Sequence, residues 1–238
     1  MGGGGLAEIA YRHYHELRHF CRIVPLSRRD SVLELGCGTG RWAVALAPLV
    51  ARWIGVDLSR RALELARASA AERAIGNVEF VEGTVPGFQA TGPFHIAYFS
   101  GVTQYLDDAS FERALDELRA SLEPNAIIVD RSTINEKASE NLVCGDHVVN
   151  YRSPADLDGQ YARIGAHRVY RGRSYRFLRG ARWLPRLGLD RAAAKLLDKT
   201  SPISYEALER IAAIADRLRP RKLDGLDRSH DFFLYRLS

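Results

Sequence analysis

The stretch VLELGCGTGRW, residues 32–42, joins an apolar run to three glycines at alternate positions, Gly36, Gly38 and Gly40. A short apolar run closed by glycine reads as a buried strand, and glycines so spaced form a turn whose backbone a ligand can approach closely. A strand that feeds a helix through such a turn opens a βαβ fold. The rest of the chain keeps that rhythm. Strands are expected near residues 31–35, 53–57, 78–81, 95–99, 126–130, 167–177 and 232–237, with helices between them. One helix starts at the N-cap Ser59 and carries Leu63, Ala66 and Ala70 at helical spacing. Another starts at Ser110 and buries Phe111, Leu115 and Leu118. A third follows Ser153, with Pro154 at its first position, Asp156 three residues past the cap and Gly165 near its end.

At 238 residues and 46% hydrophobic content the chain can bury a core, which excludes a disordered or fibrous protein. Its three cysteines, Cys21, Cys37 and Cys144, form no CxxC pair for zinc or an iron–sulfur cluster and point to a reducing compartment. The start MGGGGL lacks the basic and apolar regions of a secretory signal, and no apolar run reaches the roughly 18 residues of a membrane span. The expected location is therefore cytoplasmic.

Three kinds of ligand suit a glycine loop between a first strand and its helix. A nucleoside triphosphate requires Lys followed by Ser or Thr after the last glycine, where this chain has Arg41 and Trp42. A dinucleotide requires a third small residue where Arg41 stands, so that it fits only as an unusual site. Asp57, at the end of WIGVD, can accept hydrogen bonds from both hydroxyls of a ribose. A nucleoside without phosphates is the reading that fits best.

Together with IGVDLSRRALELAR, VEFVEGTVP, PFHIAYFSGVTQYL and LEPNAIIVD, the glycine block resembles the class I S-adenosylmethionine-dependent methyltransferases over residues 30–131. The resemblance implies an α/β fold: a Rossmann-like seven-stranded sheet with helices on both faces and an antiparallel last strand, for which DFFLYRLS is suited. It implies S-adenosylmethionine as cofactor. On that basis Gly36, Cys37, Gly38 and Gly40 pass beneath its methionine part, with Glu34 at the methionine end or the loop backbone. Asp57 and Leu58 take the ribose side, and Gly83, Thr84 and Val85 border adenine. Thr84 stands where many relatives have Asp, and its hydroxyl offers one acceptor. Ser100 and Gly101 face the methionine ammonium and the incoming substrate.

The chain departs from the minimal domain by a helical insertion before the last strand. The expected organisation is an N-terminal helical cap at 1–29, a Rossmann-like methyltransferase core at 30–177, an insertion at 178–230 serving as substrate lid or interface, and the last strand at 231–238. A homodimer through the insertion is one expectation.

Methyl transfer from a sulfonium needs alignment and exclusion of water, and needs a base only when the acceptor enters protonated. His147, in CGDHVVNY within the loop expected after the fifth strand, on the substrate side of the sheet, is the first candidate base, and Asp130, at the end of that strand, is the second. The acceptor side is expected to draw on Tyr11, Tyr14, Gln104, Tyr105, Arg131, Arg173 and Arg176. FSGVTQYL is not the Asp/Asn-Pro-Pro-Tyr pattern of base-amino methylation, and no Pro-Cys pair offers a nucleophile, so DNA is not expected as partner. Arg131 follows Asp130 in place of a second carboxylate, and no metal is expected. Every formally charged residue between Asp158 and Asp190 is arginine, a pattern that suits phosphate or carboxylate on the acceptor. Trp183, Leu184 and Leu187 lie among these arginines and suit peripheral contact at an acidic inner membrane surface. The reading that results is methyl transfer to oxygen of a small-molecule or glycan-type acceptor, itself anionic. The alternatives are an RNA methyltransferase and a non-catalytic cofactor-binding interaction protein.

Overall fold

A computed structural model describes residues 6–88, 91–145, 147–174 and 228–238, with side chains from Arg12 onward. Its elements in chain order are α1 (Leu6–Ile23), β1 (Ser31–Leu35), α2 (Arg41–Leu46), β2 (Arg52–Asp57), α3 (Arg60–Glu72), β3 (Val78–Glu82), β4 (Phe94–Phe99), α4 (Asp108–Ala120), β5 (Leu122–Asn135), β6 (Glu140–Cys144), β7 (His147–Tyr151), α5 (Pro154–Arg163), β8 (Ala166–Arg173) and β9 (Arg228–Leu237). The described residues fall into two compact units: residues 25–172 with 228–238 form one, and α1 with Arg173 and Ser174 belongs to the other.

The larger unit is built on a seven-stranded sheet in the order β3-β2-β1-β4-β5-β9-β8. β3, β2, β1, β4 and β5 are parallel, and β9 runs antiparallel to β5. β1 is buried from Val32 to Leu35 without alternation, as a parallel strand covered on both faces must be. One face carries Leu33, Leu35, Ile54, Val56, Ala97 and Phe99, against which Phe111, Leu115 and Leu118 of α4 and Leu157 and Tyr161 of α5 pack. On the other face Trp42 of α2 meets the ring of Tyr98 edge-on at 5.2 Å. Helices therefore cover both faces.

Helix starts follow local chemistry. Ser59 accepts from Ala62 N–H and Ser153 from Asp156 N–H, as their cap positions predict. α4 begins earlier than Ser110, because Asp107 is the cap and accepts from the Ser110 N–H. Gly165, at φ 77°, lies just past α5.

The structure departs from the sequence expectation at three places. β5 runs on to Asn135, so that Asp130 lies inside the strand and not at its end. The segment after it is no loop: β6 and β7 pair as an antiparallel hairpin, with Cys144 opposite His147. Its period-two pattern is hidden because most of its residues face solvent. The last strand begins at Arg228, ahead of the expected residue 231, and β8 ends at Arg173 within the described residues. The side chain of Tyr11, and residues 175–227 with Arg176 and the helical insertion, lie outside the described residues.

Candidate active site

Gly36, Gly38 and Gly40 have φ of 76°, 53° and 71°, conformations that only glycine adopts without strain. Their duties differ. A Cβ at Gly40 would stand 2.8 Å from Ala66 and from the Phe80 ring, whereas one at Gly38 would meet nothing within 4 Å among the described residues. Gly40 lets the loop pack against α3 and β3, while Gly38 borders open space.

Asp57 closes β2 and fixes this loop. Its Oδ2 accepts the Gly38 N–H at 2.8 Å and its Oδ1 accepts the Ser59 N–H at 2.9 Å. Each oxygen keeps a lone pair for a ribose hydroxyl. Leu58, next in sequence, is 72% exposed, an apolar surface beside that carboxylate. Gly83 N–H donates to the Asp57 carbonyl at 3.1 Å, which brings the exit of β3 beside that of β2; Thr84 after it is exposed and Val85 half-buried. Ser100 N–H donates to the Leu35 carbonyl at 2.9 Å and sets the exit of β4 against that of β1. Gly101 follows at φ 79°. The glycine loop, Asp57, Gly83 and Ser100 thus all stand at the carboxyl ends of β1 to β4. Strand order reverses between β1 and β4, the switch point at which open α/β sheets bind ligands.

Glu34 lies beneath this edge, fully buried, and its Oε2 accepts the Trp53 indole N–H at 3.0 Å. Burial pushes its carboxyl up to about 8, against the opposing pull of the Trp53 and Ser100 hydrogen bonds and the Arg41 charge. It is mostly protonated at neutral pH, which is how an acid inside a sheet avoids the cost of a buried charge. Burial likewise raises the Cys37 thiol well above its ordinary value. Cys37 packs where a Cβ on Gly55 would stand 2.9 Å from its Sγ, and it serves as an apolar filler.

Asp130 is fully buried and ringed by hydroxyls: Tyr161 donates to Oδ2 at 2.9 Å, Thr103 donates to Oδ1 at 3.2 Å, and Ser132 also donates to Oδ1. Burial raises its carboxyl to about 6, with the three hydroxyls drawing it back down. Closed in this way, Asp130 ties β5 and α5 to Thr103, in the short helical turn Thr103–Tyr105 that follows β4. His147 is exposed at the hairpin turn and belongs to no part of this network. Gln104 Oε1 accepts the Thr133 N–H at 3.3 Å, and Tyr105 is 46% exposed. Arg131 is buried, with Nη1 3.2 Å from the position of a Cβ on Gly101. Tyr14 lies half-buried on α1, in the smaller unit.

Arg152 had no signal in the sequence, because its partners lie far along the chain. Its buried guanidinium donates to the Thr103 carbonyl at 2.8 Å, the Leu106 carbonyl at 2.7 Å and Asp108 Oδ1 at 2.8 Å, and it stacks 4.7 Å over the Phe111 ring. It clamps the turn that carries Gln104 and Tyr105. The arginine run is also less bare than its sequence suggests. Arg163 pairs with Glu112, Arg168 with Asp158, and Arg171 with Glu136 and Asp231. The compensating carboxylates come mostly from other segments, which local charge counting cannot see. Arg173 is exposed.

A family model described as a methyltransferase domain matches residues 32–125, the span that contains every cofactor-side residue above. Residues 32–125 thus carry a methyltransferase domain, in keeping with the resemblance to the class I S-adenosylmethionine-dependent enzymes. S-adenosylmethionine is the cofactor of that family, and the residues present fit it: open space over Gly38, spare acceptor capacity on Asp57 and the exposed Leu58. The chain is 33% identical over 112 residues to tRNA (uracil-5-)-methyltransferase homolog A of Mus musculus, covering 45% of this chain and 16% of that protein. It is 38% identical over 76 residues to demethylmenaquinone methyltransferase of Lactococcus lactis, covering 31% of this chain and 29% of the relative. The chain thus spans less than a third of the length of each. The crystal structure of coclaurine N-methyltransferase bound to N-methylheliamine and S-adenosylhomocysteine superposes with a TM-score of 0.67 at 14% identity, covering 94% of this chain and 72% of that one, a likeness of fold. Among the described residues no cluster of His, Cys, Asp and Glu could hold a metal ion, and no helix is long and apolar enough to cross a membrane.

Proposed function

We propose that the protein transfers a methyl group from S-adenosylmethionine to oxygen of a small-molecule or glycan-type acceptor. The observation that supports this most is the carboxyl edge of β1 and β2, where one carboxylate, Asp57, anchors the glycine loop at Gly38 beside open space. The cofactor supplies a methyl group already activated on a sulfonium. The chain's own share is positioning: Asp57 holds the ribose of the nucleoside end, and the glycine loop with Ser100 and Gly101 stands at the methionine end. The turn Thr103–Tyr105, braced by Asp130 and Arg152, presents Gln104 and Tyr105 to the acceptor.

Small-molecule acceptors are supported by the names of demethylmenaquinone methyltransferase and coclaurine N-methyltransferase, and RNA by that of the tRNA methyltransferase homologue. We favour the first because three of the described arginines already have carboxylate partners and offer little to a phosphate backbone. An anionic group on the acceptor is proposed for Arg173 and Arg176. Peripheral membrane contact, a homodimer and a cytoplasmic location are proposals that rest on sequence alone. His147 is the proposed base and Asp130 a positioning group.

Labelled S-adenosylmethionine with panels of hydroxylated small molecules, saccharides and RNA tests the reading. Label on a small molecule or saccharide supports it, with His147→Ala expected to lower turnover about 100-fold at unchanged cofactor affinity. Label on RNA, with salt-sensitive binding, replaces it with the RNA reading. Cofactor binding with no transfer to any class leaves the interaction-protein reading.

A further inference from the structure

A cavity of about 350 Å³ lies in the larger unit between the start of α4, the β6–β7 hairpin and one face of α5, apart from the residues of the cofactor edge. That volume falls within the roughly 300–1,000 Å³ of small-molecule sites, and its wall is polar and apolar in about equal parts where such sites are predominantly apolar. Ala155 is the one aliphatic side chain in it. Tyr151 adds an aromatic ring and Gly159 bare backbone, and the other described lining groups are amide, carboxylate, hydroxyl and guanidinium.

The charged groups on this wall are already engaged. Arg152 spends its guanidinium on the Thr103 and Leu106 carbonyls and on Asp108 Oδ1. Arg163 pairs with Glu112 at 3.1 Å. Asp156 Oδ2 accepts from Ser139 at 2.5 Å and from Ser153 at 2.7 Å. Two carboxylates and two guanidiniums also cancel in formal charge, so the wall selects neither a phosphate nor a metal cation.

The amides carry the remaining capacity. Gln160 Oε1 is buried with no hydrogen-bond partner among the described residues, an arrangement that is penalised unless something supplies a donor. Asn150 uses its amide N–H on the Leu106 carbonyl at 3.0 Å, which leaves its oxygen as an acceptor. Asn141, on β6, adds a donor and an acceptor. Neutral donors and acceptors beside the ring of Tyr151 and Ala155 match a ligand that presents several hydroxyls, some C–H surface and no charge.

We propose that this cavity binds a saccharide unit through Gln160, Asn141 and Asn150. The inference is independent of methyl transfer, since none of these residues belongs to the cofactor edge. Because Arg152 is shared between the cavity wall and the turn Thr103–Tyr105, a bound sugar would also bear on that turn.

The test is ligand-observed NMR and calorimetry on the full chain with glucose, N-acetylglucosamine and maltose as probes, and with inorganic phosphate and putrescine as charged controls. Binding of at least one sugar is expected, weakened roughly five- to tenfold by Gln160→Leu and by Asn141→Ala, with S-adenosylhomocysteine affinity unchanged in both variants. Asn141 is exposed on the hairpin, so its variant reads out the site even if Gln160→Leu does not fold. No sugar binding at about 100 mM, binding indifferent to both substitutions, or preference for phosphate or putrescine would each overturn the proposal.

Discussion

The carboxylate of Asp57 holds the backbone of Gly38 at 2.8 Å, joining the end of the second strand to the middle of the glycine loop. The residue read in the sequence as a ribose clamp is therefore also the anchor of the loop on which the cofactor would lie. Losing it removes two contributions at once. Asp57→Ala is expected to weaken S-adenosylhomocysteine binding by more than about tenfold, since hydrogen bonds to a charged group are worth roughly 1.5–3 kcal/mol. Asp57→Asn, which keeps one oxygen acceptor, should fall between wild type and Ala in a calorimetric titration.

Gly38 and Gly40 separate ligand approach from packing. Gly38→Ala meets open space and carries mainly the cost of a left-handed backbone, about 1–2 kcal/mol. It should lose cofactor affinity while melting within a few degrees of wild type. Gly40→Ala drives a methyl to 2.8 Å from Ala66 and Phe80, and overpacking of that kind adds roughly 1–3 kcal/mol to the same backbone cost. Thermal unfolding of the pair should rank Gly40→Ala clearly below Gly38→Ala, and equal melting temperatures would contradict the assignment.

Asp130 makes stability depend on pH in a direction opposite to that of a salt-bridged acid. Its folded-state value of about 6 lies above the ordinary 3.8, so the folded chain holds the proton more tightly than the unfolded chain does. The associated stability is fully present below about pH 4 and is lost as pH rises through about 6. Asp130→Asn mimics the protonated acid. Relative to wild type it should gain stability between pH 4.5 and 7.5, by at most about 3 kcal/mol. Glu34 acts with the same sign up to about 8, but is common to both proteins and cancels in the comparison. Urea unfolding that gives a pH-independent difference would show that Asp130 is not buried as described.

Arg152 should matter to stability more than any surface arginine. Replacing it with Met leaves two buried carbonyls, Thr103 and Leu106, without their charged donor, at a cost of roughly 3 kcal/mol. Lys, a single point donor, should restore only part of this. Hydrogen exchange across residues 103–106 should accelerate in both variants, and protection unchanged from wild type would refute the clamp.

Much of the fold was legible because its signals are local. The apolar run 32–35, the caps Ser59 and Ser153, and the glycines are each explained by near neighbours, and so is Asp57, whose partners Gly38 and Ser59 stand at adjoining strand ends. Arg152 and Asp130 were not legible in this way. Their roles come from Thr103, Leu106, Ser132 and Tyr161, brought together only when β5, the hairpin and α5 pack around the turn after β4. The hairpin itself escaped notice because Val143 and Val148, paired across it, are both exposed and show no buried alternation. The arginine run misled for the mirror reason: a string of like charge looks unpaired in sequence until Glu112, Glu136 and Asp231 arrive from elsewhere.

The most direct test of the central claim is calorimetric titration of S-adenosylhomocysteine into the metal-free protein, alongside folded Asp57→Ala and with NAD as competitor. The account predicts saturable one-to-one binding without metal, weakened at least about tenfold by Asp57→Ala and unaffected by NAD. Absence of binding, equal affinity in the variant, or displacement by NAD would contradict it.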